Sequence, residues 1–152
     1  MLSINLICVG NLKEKFWRDS QDEFTKRLSA FCKLNILEIK EQNYLENIDL
    51  IIQKESENIL KNLRGYTILF DVKGKTCTSE DFSLKIDKLT NTSSEITFII
   101  GGSYGVSDEI KNKVNERLSF SSMTFPHNLF RVMALEQIYR AFMIKSGKSY
   151  HK

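Results

Sequence analysis

Five short apolar runs, separated by segments of helical periodicity, constrain the fold of this chain more than any other feature. The runs are SINLICV (3–9), LNILEI (34–39), YTILFDV (66–72), ITFII (96–100) and LSFSSMTF (118–125, a strand and loop). Apolar residues between them recur at helical spacing, which predicts helices from Leu12, over 46–64, after Thr78, after Ser107 and over about 128–144. Strands that alternate with helices predict an α/β fold with a mostly parallel sheet flanked by helices.

Composition is that of an ordinary water-soluble protein. The 152 residues are 41% hydrophobic and 27% charged, so we expect a single domain over 1–152. No apolar run is long enough to cross a bilayer, and the start of the chain lacks the basic residues of a signal peptide. The three cysteines are far apart without a CxxC pair, which predicts free thiols, a cytoplasmic location and no metal site.

The formal net charge of +3 is too small to indicate a nucleic-acid-binding protein. Basic residues nevertheless cluster twice, over 13–27 and over 145–152. If the fold brings the two clusters to one face, they form a patch suited to phosphates. The alternative is two separate solvated helix surfaces, and the sequence does not choose between them.

Three predicted strands end in residues that suit a ligand site: Phe70-Asp-Val-Lys-Gly-Lys75, Gly101-Gly-Ser-Tyr-Gly105 and Phe120-Ser-Ser-Met-Thr-Phe125. In parallel α/β sheets, ligands bind at the carboxyl ends of strands. The glycines would let backbone amides approach a ligand, or would serve only a tight turn. Neither a dinucleotide-binding GxGxxG nor a phosphate loop is present, and no motif indicates a hydrolase. Small hydroxyl residues and backbone groups suit an adenosine-like cofactor.

The predicted last helix is too apolar for an ordinary surface helix, which indicates burial in the core or against another subunit. Glu136 and Arg140 stand at i,i+4 spacing, so an intrahelical ion pair is the simplest assignment for both. The tail that follows, SGKSYHK (146–152), contains one of only two histidines in the chain. The other, His127, follows Pro126 beside the third strand-end motif.

These motifs together resemble the ribosomal RNA large subunit methyltransferase H family, whose members are minimal SPOUT-class enzymes. The resemblance is carried along the whole chain by VGNLKEKFW (9–17), GGSYGV (101–106), LSFSSMTFPH (118–127), EQIYRAF (136–142) and the Tyr150-His151 pair. It implies a trefoil-knotted α/β domain that binds S-adenosyl-L-methionine. It also implies a homodimer with its sites at the subunit interface, and methylation of N3 of a pseudouridine in large-subunit rRNA on the ribosome.

The resemblance also implies roles for particular residues. Tyr150 and His151 are expected to be catalytic, with the tail closing over the partner's cofactor pocket, and Arg140 is expected to contact RNA. The cofactor contacts carried over by position are Phe70, Gly101, Phe120, Ser121, Ser122, Met123, Thr124 and Phe125. N3 of pseudouridine must lose a proton, and a neutral histidine can accept it. His151 is the candidate base and His127 the alternative.

Two other functions fit the same sequence. One is a ribosome-associated RNA-binding protein with a vestigial cofactor pocket. The other is a flavodoxin-like regulatory domain whose glycine loop holds phosphate. Binding of S-adenosylmethionine rather than ATP, and methyl transfer to rRNA, would distinguish the three.

Overall fold

The computed structural model describes residues 1–44 and 46–152, which form a five-stranded sheet flanked by five helices. The strands are β1 (Ser3–Val9), β2 (Lys33–Ile39), β3 (Tyr66–Thr76), β4 (Glu95–Ile100) and β5 (Glu116–Ser119). The helices are α1 (Lys15–Leu28), α2 (Ile48–Leu60), α3 (Ser79–Thr90), α4 (Asp108–Lys113) and α5 (His127–Lys145). The predicted α/β class is therefore confirmed.

Every pairing in the sheet is parallel, and the strand order is β2-β1-β4-β3-β5. The continuously apolar run at 96–100 belongs to β4, which lies in the middle of the sheet and is buried over Ile96–Ile100. Because all five strands point the same way, their carboxyl ends meet at one edge of the sheet. The trefoil knot implied by the resemblance stays a prediction.

Alternate residues along the central strands supply two separate cores. Ile4, Leu6 and Cys8 of β1 face a core shared with α1, α3 and α5, whereas Ile7 and Val9 face a core shared with α2 and α4. This alternation follows from the two-residue period of a strand. The sheet is thus covered on both faces, which explains why its strands are continuously apolar.

Helix boundaries differ from the predicted ones where loops carry apolar residues. The first helix begins at Lys15 rather than Leu12, since Leu12 is buried within the preceding loop. The second spans 48–60 instead of 46–64. At α3 the prediction is confirmed, because Thr78 Oγ1 accepts a hydrogen bond from the backbone N–H of Asp81 (3.0 Å) and caps the helix.

The third and fifth strands also differ from prediction. β3 continues to Thr76, beyond the predicted end at Val72, through an irregularity between Phe70 and Lys75. β5 begins at Glu116 and ends at Ser119, so 120–126 is a loop leading into α5. This loop is the last of the three predicted ligand segments, and its irregular backbone leaves peptide groups available to a ligand.

The last helix packs against α1 and α3 in addition to the sheet. Its fully or almost fully buried residues include Leu135, Ile138 and Phe142. Much of its apolar surface is therefore covered within one chain, and of the two kinds of burial considered for this helix, Ile138 shows burial in the core. Several apolar residues of α5 stay half-buried: Leu129, Val132, Met133, Met143 and Ile144. Among the described residues, no helix is both long and apolar enough to span a membrane.

Candidate active site

A cavity of about 300 Å³ lies at the carboxyl ends of β4 and β5, beside residues 69–72 of β3, where that strand becomes irregular. The three predicted ligand segments meet there, because their strands are parallel and β3 lies between the other two. Seven of the eight predicted cofactor contacts line it: Phe70, Gly101, Phe120, Ser121, Met123, Thr124 and Phe125. The remaining one, Ser122, is exposed and is not among the lining residues.

Aromatic rings form the inner wall of this cavity. The ring of Phe70 lies 5.0 Å from that of Phe120 and 5.3 Å from that of Phe130, both edge-to-face. Phe125 stacks on Phe130 at 6.3 Å. Flat apolar surfaces of this kind suit a planar heterocycle such as adenine, and the neighbouring loop supplies polar groups for its edge. The donor and acceptor set therefore fits an adenosine-type cofactor.

The glycine loop owes its shape to contacts within itself. Gly105 has a φ of +83°, which side chains disfavour. A Cβ on Gly101 would lie 2.8 Å from Cγ1 of Val106 and 3.3 Å from the carbonyl carbon of Gly105. Of the two uses considered for these glycines, the observed crowding at Gly101 fits the tight turn, because it arises from the loop's own atoms.

Neither Tyr150 nor His151 lines the cavity of its own chain. Both lie instead against α5 and the start of α3, where the side chains of Glu136, Arg140 and Glu80 hold the tail. Arg140 binds Glu136 through two hydrogen bonds (2.8 and 3.0 Å), so the predicted intrahelical pair is present. The Tyr150 hydroxyl donates to Oε2 of Glu136 (3.4 Å) and its ring lies 4.9 Å from the Arg140 guanidinium carbon.

The hydrogen bonds of His151 fix its tautomer. Arg140 donates to Nδ1 (3.1 Å), and arginine can only donate, so Nδ1 is unprotonated. Nε2 then carries the proton and donates it to the carboxylate of Glu80, whose pKa this hydrogen bond lowers. Glu80 had no role in the sequence analysis. In this arrangement the one lone pair of His151 that could accept a proton is bound by Arg140.

Burial raises the pKa of the Tyr150 phenol, and the nearby Glu136 carboxylate raises it further. Tyr150 therefore stays protonated at neutral pH and acts as a hydrogen-bond donor. A second cavity, of about 480 Å³, lies between this network and Phe120. Glu136, Arg140 and Cys77 are among its lining residues, and Phe120 lines both cavities. Phe120 thus lies between the two cavities, and the tail network borders the second of them.

His127, the alternative base, does line the first cavity, and its Nε2 lies 3.3 Å from Oγ of Ser103. One further residue near this edge, Arg131, had no role in the sequence analysis. Arg131 is 2% exposed and binds Gln21, Glu38 and the carbonyl oxygen of Gly10, which fastens α5 to the ends of β1 and β2. Its flanking apolar residues gave no sign that it would be buried.

The basic clusters meet only in part. Arg27 lies 5.7 Å from the Tyr139 ring on α5, and Lys148 of the tail lies 5.4 Å from the Phe31 ring that follows α1. The end of α1 is therefore beside the tail, whereas Lys13 and Lys15 lie at its other end. Among the described residues, no group of three or more His, Cys, Asp or Glu side chains is placed to hold a metal ion.

Comparison with known proteins agrees with this geometry. The family described as "Predicted SPOUT methyltransferase" matches residues 2–151. A protein of Clostridium botulinum (strain Kyoto / Type A2) named ribosomal RNA large subunit methyltransferase H is 48% identical over 159 residues, covering 99% of this chain and 100% of the relative. Proteins of the same name from Fusobacterium nucleatum and Caldicellulosiruptor saccharolyticus are 48% and 43% identical, covering 99% and 98% of this chain and 100% and 99% of the relatives.

A solved structure, of a probable methylase family protein from Haemophilus influenzae Rd KW20, shares the fold. It superposes with a TM-score of 0.54 at 13% identity, covering 99% of this chain and 70% of that one. The family match and the full-length relatives confirm the resemblance seen in the sequence. This chain belongs to the SPOUT methyltransferase family, among relatives that carry the name ribosomal RNA large subunit methyltransferase H.

Proposed function

We propose that this protein, one domain over 1–152, transfers the methyl group of S-adenosyl-L-methionine to N3 of a pseudouridine in large-subunit rRNA. The proposed substrate is the assembled ribosome, and the proposed active form is a homodimer in the cytoplasm. The observation that carries the proposal is the meeting of the three strand-end motifs on one aromatic-walled cavity. Full-length relatives named as rRNA methyltransferases support it.

In this proposal the cavity holds the cofactor, which supplies an electrophilic methyl group. The aromatic wall of Phe70, Phe120 and Phe130 holds its adenine, and the loop 120–125 offers backbone and hydroxyl partners. Fixing both reactants in line supplies a large part of the rate enhancement. No metal or covalent intermediate is required.

The tail network supplies the proton chemistry. His151 can accept the N3 proton at Nδ1 only after Arg140 releases that atom. An RNA phosphate near Arg140 would compete for its guanidinium, which leaves His151 held by Glu80 through Nε2 with its Nδ1 lone pair free. Tyr150, as a neutral phenol, orients the pseudouridine base by donating a hydrogen bond to it. RNA binding and activation of the histidine are thereby linked.

The chain's own cavity lacks Tyr150 and His151, so we propose that these residues serve the cavity of the partner subunit. The half-buried apolar residues of α5 are the proposed contact surface. A dimer through this helix would place one tail network opposite the other subunit's cavity, and each site would then be complete only in the dimer.

Labelled methyl transfer tests the proposed function. Purified protein is incubated with methyl-labelled S-adenosylmethionine and either ribosomes or bare 23S rRNA, and the digested RNA is analysed by mass spectrometry. We expect N3-methylpseudouridine from ribosomes and much less from bare rRNA. Cofactor binding without label in either RNA would refute the proposal and favour an RNA-binding protein with a vestigial pocket.

A further inference from the structure

A buried carboxylate lies directly behind the glycine loop. Glu55 is on α2, on the same face as Ile51 and Ile59, and is only 3% exposed. Its Oε2 accepts a hydrogen bond from the backbone N–H of Gln42 (2.9 Å). Its Oε1 is fully buried and has no hydrogen-bond partner among the residues that the structure describes. An unpaired buried carboxylate oxygen is unfavourable, so its presence calls for a functional reason.

Gly102 lies between this unpaired oxygen and the cavity. Oε1 of Glu55 is 2.7 Å from the position that a Cβ on Gly102 would occupy. Gly102 itself lines the cavity, and it is the missing Cβ that lets the carboxylate lie against its wall. The next residue, Ser56, accepts a hydrogen bond through Oγ from the backbone N–H of Ser107 (2.9 Å), which fixes α2 to the same loop.

Few charges offset Glu55. Glu41, on the loop after β2, adds negative charge, and His127 on the cavity wall can add positive charge. On the same helix, Lys54 pairs with Glu57 at the surface (3.8 Å). Burial raises the pKa of Glu55, and the hydrogen bond from the backbone N–H of Gln42 partly offsets this. Glu41 raises the pKa further and His127 lowers it. A cation bound in the cavity would favour the ionised carboxylate, since interactions between charges are strong where water is excluded.

We propose that Glu55 is a specificity-determining residue whose buried negative charge favours the cationic cofactor over its product. The inference rests on the proposed function. The sulfonium of S-adenosylmethionine is positively charged, whereas the thioether of S-adenosylhomocysteine is neutral. Loss of the methyl group therefore removes the charge that Glu55 stabilises. The product binds more weakly than the cofactor for this reason and leaves the site.

Calorimetric binding of both ligands tests the inference without reference to catalysis. For the wild type we expect tighter binding of S-adenosylmethionine than of S-adenosylhomocysteine. Glu55→Gln has nearly the same shape without the charge, so S-adenosylmethionine affinity should fall several-fold while S-adenosylhomocysteine affinity stays unchanged. Glu55→Asp keeps the charge and should restore most of the preference. Ser56→Ala is the matched control, which removes the neighbouring loop contact and should leave the ratio of the two affinities unchanged.

Equal losses for both ligands in Glu55→Gln would overturn the inference, since they would show that Glu55 only shapes the loop. Unchanged affinities would overturn it as well. If the wild type binds neither ligand, the proposed function is refuted as well. If the wild type binds both ligands and Glu55→Gln leaves the ratio of the two affinities unchanged, this inference alone is refuted.

If Glu55→Gln does not fold, a second test is the pH dependence of the ratio of the S-adenosylmethionine and S-adenosylhomocysteine affinities. It is measured in His127→Asn, where the histidine no longer titrates. Protonation of a carboxylate whose pKa is raised removes negative charge as pH falls, so the preference for S-adenosylmethionine should decrease on acidification. A ratio that does not change with pH would overturn the inference.

Discussion

The first cavity and the tail network lie on either side of Phe120 but are built in opposite ways. The cavity is formed by strand ends fixed by the sheet, and its inner wall is continuous with the aromatic core through the Phe70–Phe98 stack (5.5 Å). The tail is held mainly by polar contacts at the surface, and the side chain of its partner Glu80 is 58% exposed. The chain thus has a rigid binding region and a tail that can rearrange. We infer that the cavity binds the cofactor in each subunit, whereas the tail contributes chemistry.

Removal of the tail should separate the two regions most completely. Deletion of 150–152 removes Tyr150 and His151 but few core contacts, so the fold and cofactor affinity should be retained. Methyl transfer to ribosomes should fall by about a hundredfold or more, in the range expected for loss of an acid–base group. Activity is measured by labelled methyl transfer and binding by calorimetry. A parallel loss of cofactor affinity would show that the two regions are not separate.

Gly101→Val should damage the cavity and spare the tail. The added side chain would collide with Val106 and the backbone of Gly105, so the loop must move. Overpacking of this kind costs about 1–3 kcal/mol, and we expect S-adenosylmethionine affinity to fall about tenfold. Gly147→Ala, at a glycine with open space around it but a positive φ, is a control for a change in the tail. Gly147→Ala should leave cofactor affinity unchanged. A loss of cofactor affinity as large as that of Gly101→Val would contradict the distinction between the cavity and the tail.

Charge substitutions on α5 should separate the dimer surface from the core. Met133 is half-buried whereas Ile138 is fully buried. Met133→Glu should therefore keep the fold but weaken the dimer, which sedimentation measures. Ile138→Glu should lower the free energy of unfolding by several kcal/mol, because it buries an unpaired charge. A folded, fully dimeric Met133→Glu protein would place the interface elsewhere.

Glu80→Gln should have the smallest effect, a few-fold loss of methyl transfer. Its carboxylate orients His151, and the pKa of that carboxylate is lowered by the hydrogen bond. Because the pKa is lowered, the contact stabilises the docked tail fully at a pH above the unfolded pKa of about 4.5. This stabilisation is lost as the pH falls through the pKa that Glu80 has in the folded protein. Protection of the tail from proteolysis should accordingly decrease on acidification in the wild type. In Glu80→Gln it should depend less on pH.

Sequence patterns predicted the sheet and the position of the cavity well, because both depend on local periodicity and on the rule that parallel strands end at one edge. The run ITFII predicted a strand of the sheet, and the segments after Leu69, Ile100 and Ser119 predicted the position of the cavity. Patterns did not give the partners of His151, since its contact with Glu80 joins residues 71 positions apart. Glu55 could have been noticed, because it interrupts an apolar helical face at the spacing of Ile51 and Ile59. The burial of Arg131 depends on the packing of three elements and had no local signal.

A mixed dimer tests most directly whether the tail serves the partner's cavity. One subunit lacks 150–152, and the other carries Gly101→Val. Differently tagged subunits allow the mixed species to be purified. Its methyl transfer to ribosomes is compared with that of the wild type at an S-adenosylmethionine concentration well below the wild-type Kd, where the weaker binding of Gly101→Val lowers the rate. If the tail acts on the partner's cavity, both lesions fall in one site and the other site is intact, so about half of the activity should survive. Near-complete loss of activity would show that each tail serves its own cavity and would contradict the account.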